Sequence, residues 1–214
     1  MKADGTILAR KFIDFASDKD RMIHAMNRTR RKQSKYGPKS ARGLWAYVKR
    51  LNEDRAKKIS AAIVEFASQH SVDTIVMEHL DFKGCKKRGS KAQRLSMWNH
   101  GIIREKVEQK AHLLGIRIAT ICAWKTSALA FDGSGSVTRD DNNHALAKFT
   151  TGKQYNCDLS ASYNIGARYF IRELLKSLPA TEESRVKAKV PDAGRRTSCT
   201  LSTLRALVKE LSAA

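Results

Sequence analysis

Residues 72–80 read VDTIVMEHL. Val72, Thr74, Ile75 and Val76 are β-branched and Met77 is apolar, so the stretch predicts a buried strand ending at Glu78. A carboxylate after such a run is costly to bury unless something pairs with it. Its plain alternative is that the strand has already ended and Glu78 faces water. Ligands in open α/β sheets collect at strand ends, so Glu78 is the first candidate for chemistry.

Working outward, DFKGCKKRGSKAQR (81–94) is a Gly-rich basic loop with no acid after Asp81. The spacing of Ile103, Val107, Ala111 and Leu114 predicts a helix from about Met97 to Leu114, with Gly115 as its C-terminal cap. IRIATICAW (116–124) reads as a second strand. Residues 126–153 are rich in turn formers. A long helix follows from CDLSASYNIGARYF onward, with Ile165, Tyr169, Phe170 and Leu174 as its buried stripe. Asp158 stands at its start, where the local reading is an ordinary N-cap.

On the other side, Leu44, Val48, Leu51, Ile59, Ala62, Ile63 and Phe66 predict a helix from about Leu44 to His70. Gly37-Pro38 breaks it from an earlier helix, for which Ser17 and Asp18 are cap candidates. The chain opens MKADGTILARKFIDF. Asp4-Gly5 signals a hairpin turn, and TILARKFIDF reads as one strand or two short ones. Past Pro179 the composition turns polar, which predicts a flexible tail over 179–214 with a possible terminal helix, LSTLRALVKEL. Strands alternating with helices argue for an α/β fold.

The 214 residues carry a formal charge of +20. From Lys19 to Lys58 there are 14 Lys and Arg against 3 Asp and Glu. A solvated helix face is the bland account, but that excess points to a polyanionic partner, usually nucleic acid. No apolar run approaches the roughly 20 residues needed to span a bilayer, and no signal-peptide pattern opens the chain. A cytoplasmic, nucleoid-associated protein without a membrane partner is expected. Cys85, Cys122, Cys157 and Cys199 form no CxxC pair, so free thiols are expected. His79, His100, His112 and His144 lack metal-ligand spacing. Asp132, Asp140 and Asp141 read as turn formers. Trp45, Trp98 and Trp124 lie among basic segments, where packing competes with base stacking.

Glu78 and Asp158 gain weight as a pair. Two-metal phosphodiester hydrolysis needs several carboxylates around ions roughly 3.5–4 Å apart. VDTIVMEHL with its basic Gly loop resembles the second conserved motif of the RuvC-like nuclease domain in TnpB proteins, transposon-encoded relatives of the type V CRISPR effectors. NCDLSASYNIGAR resembles their third motif through Asp158, Ala161, Asn164 and Ile165. KVEQKAHLLGIRI and AWKTSALAFDG are similar in order and length, and the basic helices match an insertion of that family. The resemblance spans about residues 4–178.

The resemblance implies an RNase H-like domain over 1–178 with a basic helical insertion at about 17–70. It implies metal ligation and catalysis by Glu78 and Asp158, with Mg²⁺ or Mn²⁺ as cofactor. DNA and a guide-type RNA would be partners. Arg28, Arg30, Arg31, Lys32, Lys35, Lys39 and Arg42 would contact phosphates, as would Lys86, Lys87, Arg88, Lys91 and Arg94. Relatives carry two CxxC pairs where this chain has ALAFDG and GKQYNC, so no structural zinc is expected. In the family the strand before the first hairpin turn carries the first catalytic Asp. This chain lacks that strand, and neither Asp4 nor Asp14 matches it. An incomplete fold is therefore expected, inactive alone unless an N-terminal part acts in trans. The alternative is a nuclease-inactive nucleic-acid-binding remnant or regulator. A structural RNA-binding protein, needing no acidic site, is a third reading.

Overall fold

The computed structural model describes residues 1–80, 99–195 and 197–213. It is a mixed α/β structure. The chain divides into two compact units, residues 11–75 with 82–118, and residues 1–10 with 76–81 and 119–214.

The first unit is built on helices α1 (Ala16–Tyr36), α2 (Arg42–Gln69) and α3 (His100–Leu113). Helix α1 follows Phe15, which provides no side-chain cap. Ser17 and Asp18, expected as caps, lie inside the first turn. Asp18 is used elsewhere: it accepts from Lys58 Nζ of α2 at 2.7 Å. The break at Gly37-Pro38 is as the sequence predicts. Gly37 adopts φ 86°, a region open to glycine, and closes α1 through its N–H to Gln33 O at 2.9 Å. Pro38 then opens a 3₁₀ turn, Pro38–Ala41. Along α2 the buried positions are Val48, Asn52, Ala56, Ser60, Val64 and Ala67. The larger residues expected to form the stripe, such as Leu51, Ile59 and Phe66, are half-buried beside it.

Small side chains occupy the centre of α2 because α3 packs there. Ser60 Oγ lies 3.2 Å from Ile103 O. Asn52 Nδ2 donates to Asn99 Oδ1 at 2.9 Å, and Asn99 Nδ2 donates back to Asn52 O at 2.8 Å. Helix α3 buries Val107 and Ala111. It ends as expected at Gly115 (φ 70°), with the Ile116 N–H returning to Ala111 O at 2.9 Å. This is the 6→1 bond of a Schellman motif. The helix's expected first residues, Met97 and Trp98, lie outside the described residues, as do Lys83, Cys85, Lys86, Lys87, Arg88, Lys91 and Arg94.

Strands β1 (Thr74–His79) and β2 (Arg117–Cys122) pair in a two-stranded sheet joined through α3. The expected buried strand is half-buried from Thr74 to Glu78, and His79 is exposed. Among the described residues β1 has one neighbour, β2, and a strand paired on one side is not covered as a central strand is.

In the second unit the Asp4-Gly5 turn forms. Lys2 N–H reaches Thr6 O at 2.9 Å, and Gly5 (φ 81°) donates to Lys2 O at 3.1 Å. Thr6 N–H donates to Asp4 Oδ1 at 2.8 Å, which lowers the Asp4 pKa. The strand expected over Thr6–Phe15 does not form. Strand backbone needs a ladder, and none of the described residues supplies one to this segment. Leu8 and Phe12 are exposed, while Ile7 packs on the unit's core.

The loop-rich stretch holds a small antiparallel sheet the sequence did not suggest: β3 (Thr138–Arg139), β4 (Leu146–Lys148) and β5 (Gln154–Asn156). Helix α4 (Cys157–Ser177) follows. Its expected stripe of Ile165, Tyr169, Phe170 and Leu174 is half-buried. The fully covered face carries Ala161, Tyr163, Asn164, Ala167, Arg168 and Ile171. The expected flexible tail instead forms α5 (Ala180–Lys189) and α6 (Leu201–Ser212), with a 3₁₀ turn at Pro191–Gly194 between them. Thr200 and Thr203 form a reciprocal capping box at the start of α6. Leu201, Leu204 and Leu207 are fully buried against Tyr163, Ala167 and Ile171. Arg205 Nη2 donates to Gly5 O at 3.3 Å, tying the opening turn to α6.

Two buried acids make this core alkali-sensitive. Burial pushes the Cys199 thiol up to about 11 from 9.0, and burial with the Tyr155 hydrogen bond pushes Tyr163 up to about 12 from 10.0. The unfolded chain releases both protons first, so the stability they hold is full below pH 9 and lost from there to about pH 12. The urea midpoint should fall across that window, and less so in a Tyr163→Phe, Cys199→Ala double variant. Equal slopes in the two proteins would contradict this.

Candidate functional site

Glu78, the penultimate residue of strand β1, has a partner far along the chain. Thr126 Oγ1 lies 2.7 Å from Glu78 Oε1 and 3.0 Å from Ala123 O. A hydroxyl has one hydrogen, and the charged acceptor at the shorter distance takes it. Thr126 is itself buried, in the turn after β2.

That turn is anchored from α4. Asn164 is fully buried, and its Nδ2 donates to Thr126 O at 3.0 Å and Leu129 O at 2.9 Å. Its Oδ1 accepts the Leu201 N–H at 3.2 Å. One helical turn on, Arg168 is 5% exposed. Its guanidinium donates to Cys122 O at 2.9 Å, Trp124 O at 2.8 Å, Thr197 O at 2.9 Å and Cys199 O at 3.2 Å. Burial lowers the Arg168 pKa, opposed by Cys199, Cys122 and, least, Glu78. Lys125, at the tip of the turn, holds φ 59°. This is a left-handed conformation uncommon for a lysine.

Asp158 sits one residue inside α4. The expected N-cap role belongs to Asn156, whose Oδ1 accepts from the Leu159 N–H at 2.9 Å. Asp158 is exposed in the first turn, where the helix dipole favours a carboxylate. It makes no hydrogen bond or ion pair among the described residues. Glu78 and Asp158 belong to one compact unit, without a direct bond between them.

A hard cation such as Mg²⁺ takes six oxygens, typically from one or two carboxylates, water and phosphate. One Glu78 oxygen is engaged by Thr126, and no group of three or more His, Cys, Asp or Glu is gathered among the described residues. Among the described residues, Glu78 and Asp158 are thus not joined by a third such donor in one cluster. His79, His112 and His144 are exposed. Cys122, Cys157 and Cys199 are free thiols.

The basic residues of the first unit form an exposed series. Arg21, Arg28, Lys32 and Lys35 recur on one face of α1, with Arg31 at its edge, and all are exposed. Lys39 and Arg42 continue the exposed series through the 3₁₀ turn. Among the described residues Arg28, Arg31, Lys32, Lys39 and Arg42 make no ion pair. Arg30 is exposed and has an interaction of its own. Two of the three acids of α2 are answered by local cations, Glu53 by Lys49 at 3.8 Å and Asp54 by Lys58 at 3.3 Å.

Thr126, Asn164 and Arg168 form the site's scaffold, and sequence reasoning did not see it whole. Asn164 had a signal, since it is one of the residues that carry the motif resemblance. Thr126 lies 48 residues from Glu78, and Arg168 reads in sequence as one more surface cation.

No protein-family model matches this chain, and no curated protein does. Its fold is similar to that of a chain in the cryo-EM structure of the Cas12f1–sgRNA–target DNA complex. The TM-score is 0.55 at 19% identity, over 74% of this chain and 44% of that one. The likeness is one of fold, and this chain spans less than half the length of that chain. Among the described residues, no helix is long and apolar enough to cross a membrane.

Proposed function

We propose that this chain is the RuvC-like nuclease portion of an RNA-guided effector of the TnpB type, acting on DNA with a guide RNA as partner. The observation that carries the reading is the fold likeness to Cas12f1, whose solved complex contains an sgRNA and target DNA. The motif resemblance at Glu78 and Asp158 agrees with it. Arg28, Arg31, Lys32, Lys39 and Arg42, exposed and without an ion pair among the described residues, are the kind of surface that grips phosphates without reading sequence. Glu78 and Asp158 are proposed as two ligands of a divalent-ion site that needs at least one further carboxylate. Cleavage by the chain alone is accordingly expected to be weak or absent. The lack of a carboxylate trio among the described residues favours a second reading, in which the chain binds nucleic acid without cutting it.

End-labelled single- and double-stranded DNA incubated with the protein in Mg²⁺ or Mn²⁺ separates these readings. Under the first, any cleavage falls on the order of 100-fold or more in both Glu78→Gln and Asp158→Asn, since metal charge stabilisation is worth several kcal/mol. Tight, salt-sensitive binding with no cleavage in either metal, even in a version with an Asp-bearing strand added ahead of Asp4, supports the second reading, whereas cleavage that appears only in that version supports the first. Cleavage indifferent to both substitutions sinks the assignment of these two residues.

A further inference from the structure

Trp124 has an unusual setting. It is 64% exposed, whereas Trp45 is half-buried. Single exposed apolar side chains are common and need no explanation. Leu8, Phe12 and Leu113 are such cases here. Trp124 differs in the backbone that presents it. The carbonyls of Cys122 and Trp124 are both held by Arg168 Nη1, and the Thr126 carbonyl is held by Asn164, two side chains buried in the core. The next residue, Lys125, is kept at φ 59°. Strained, over-determined backbone of this kind clusters at binding sites.

The surroundings also have a pattern. Thr126, two residues on, carries the bond to Glu78. Lys125 is exposed. Arg139 Nη2 donates to Ser127 Oγ at 3.0 Å, which places a second cation on the same turn. An aromatic face on a fixed turn, flanked by two cations, suits one unpaired nucleotide: the ring takes the base and the cations take the flanking phosphates. Because the turn is already ordered, binding does not bear the cost of ordering it.

We propose that Trp124 is a base-stacking residue that holds an unpaired DNA base beside the Glu78 carboxylate. This rests on the nucleic-acid reading of the same unit given above. The test measures fluorescence anisotropy of a labelled oligothymidine and of an abasic oligomer of equal length. The full chain is compared with Trp124→Leu and Trp124→Phe. One stacked base is worth roughly 5- to 150-fold in affinity. Trp124→Leu should lose that much on oligothymidine, Trp124→Phe should keep most of it, and all three proteins should bind the abasic oligomer equally. Unchanged binding of oligothymidine by Trp124→Leu overturns the proposal and leaves the nucleic-acid reading standing. An equal loss on both oligomers also overturns it, because a base-independent loss is electrostatic or structural. Failure of the unsubstituted chain to bind either oligomer overturns both readings.

Discussion

Arg168→Met should lower the melting temperature by about 8–16 °C. The guanidinium satisfies four backbone carbonyls from two separate segments, Cys122 and Trp124 on one side and Thr197 and Cys199 on the other. Methionine fills much of the volume and supplies no donor. Each buried carbonyl left unpaired costs about 1–3 kcal/mol. Water will reach those nearest the surface, so a total of about 4 kcal/mol is the working figure. At about 2–4 °C per kcal/mol for a chain of this size, that gives the stated shift. Arg168→Lys should recover little, because one ammonium cannot span the fork of acceptors. Thermal unfolding followed by circular dichroism decides the matter. A methionine variant melting within about 2 °C of the parent would mean that the four bonds contribute almost nothing net. A lysine variant close to the parent would assign the effect to charge rather than geometry.

Leu204→Ala should cost about 2–5 kcal/mol, the usual range for a leucine truncated in a packed core. Leu204 is fully buried, in a cluster with Tyr163, Ala167 and Ile171 of α4. The comparison that gives the number meaning is Leu211→Ala, a half-buried position on the same helix. Urea unfolding should show a midpoint loss for Leu204→Ala at least twice that of Leu211→Ala. Comparable small losses would mean that α6 is only loosely held, as the composition of residues 179–191 first suggested.

Local chemistry explains which elements the sequence revealed. Gly37-Pro38 and Gly115 act within a few residues of themselves, so their breaks and caps are readable. Leu201–Leu211 shows a helical pattern, yet nothing in that pattern names its partner, and the polar residues of α5 disguised the segment as solvent-exposed. The small strands of two or three residues in 138–156 are too short for any alternation to register. On α2 a hydrophobicity pattern favours Leu51, Ile59 and Phe66. The close approach of α3 selects Asn52, Ala56 and Ser60 instead, because small side chains let two backbones near each other. At the site, Glu78 was legible as a carboxylate ending a strand. Asp158 was legible as a helix-start acid, but the capping bond belongs to Asn156, two residues earlier. The opening turn at Asp4-Gly5 was read correctly, while the hairpin and its following strand failed because strand propensity does nothing without a ladder to join.

The reciprocal amide bonds between Asn52 and Asn99, with Ser60 close to Ile103 O, set a detent between α2 and α3. An all-leucine seam would let one helix creep along the other with little change in energy. Here a slip of one turn, about 5.4 Å, would break both amide bonds and leave the partly buried side chains of Asn52 and Asn99 without each other. The pair can therefore rest in one notch or come apart, and has no smooth series of positions between. Force or ligand binding on α2 would be passed to α3 as a tilt of the two helices together, not dissipated as sliding.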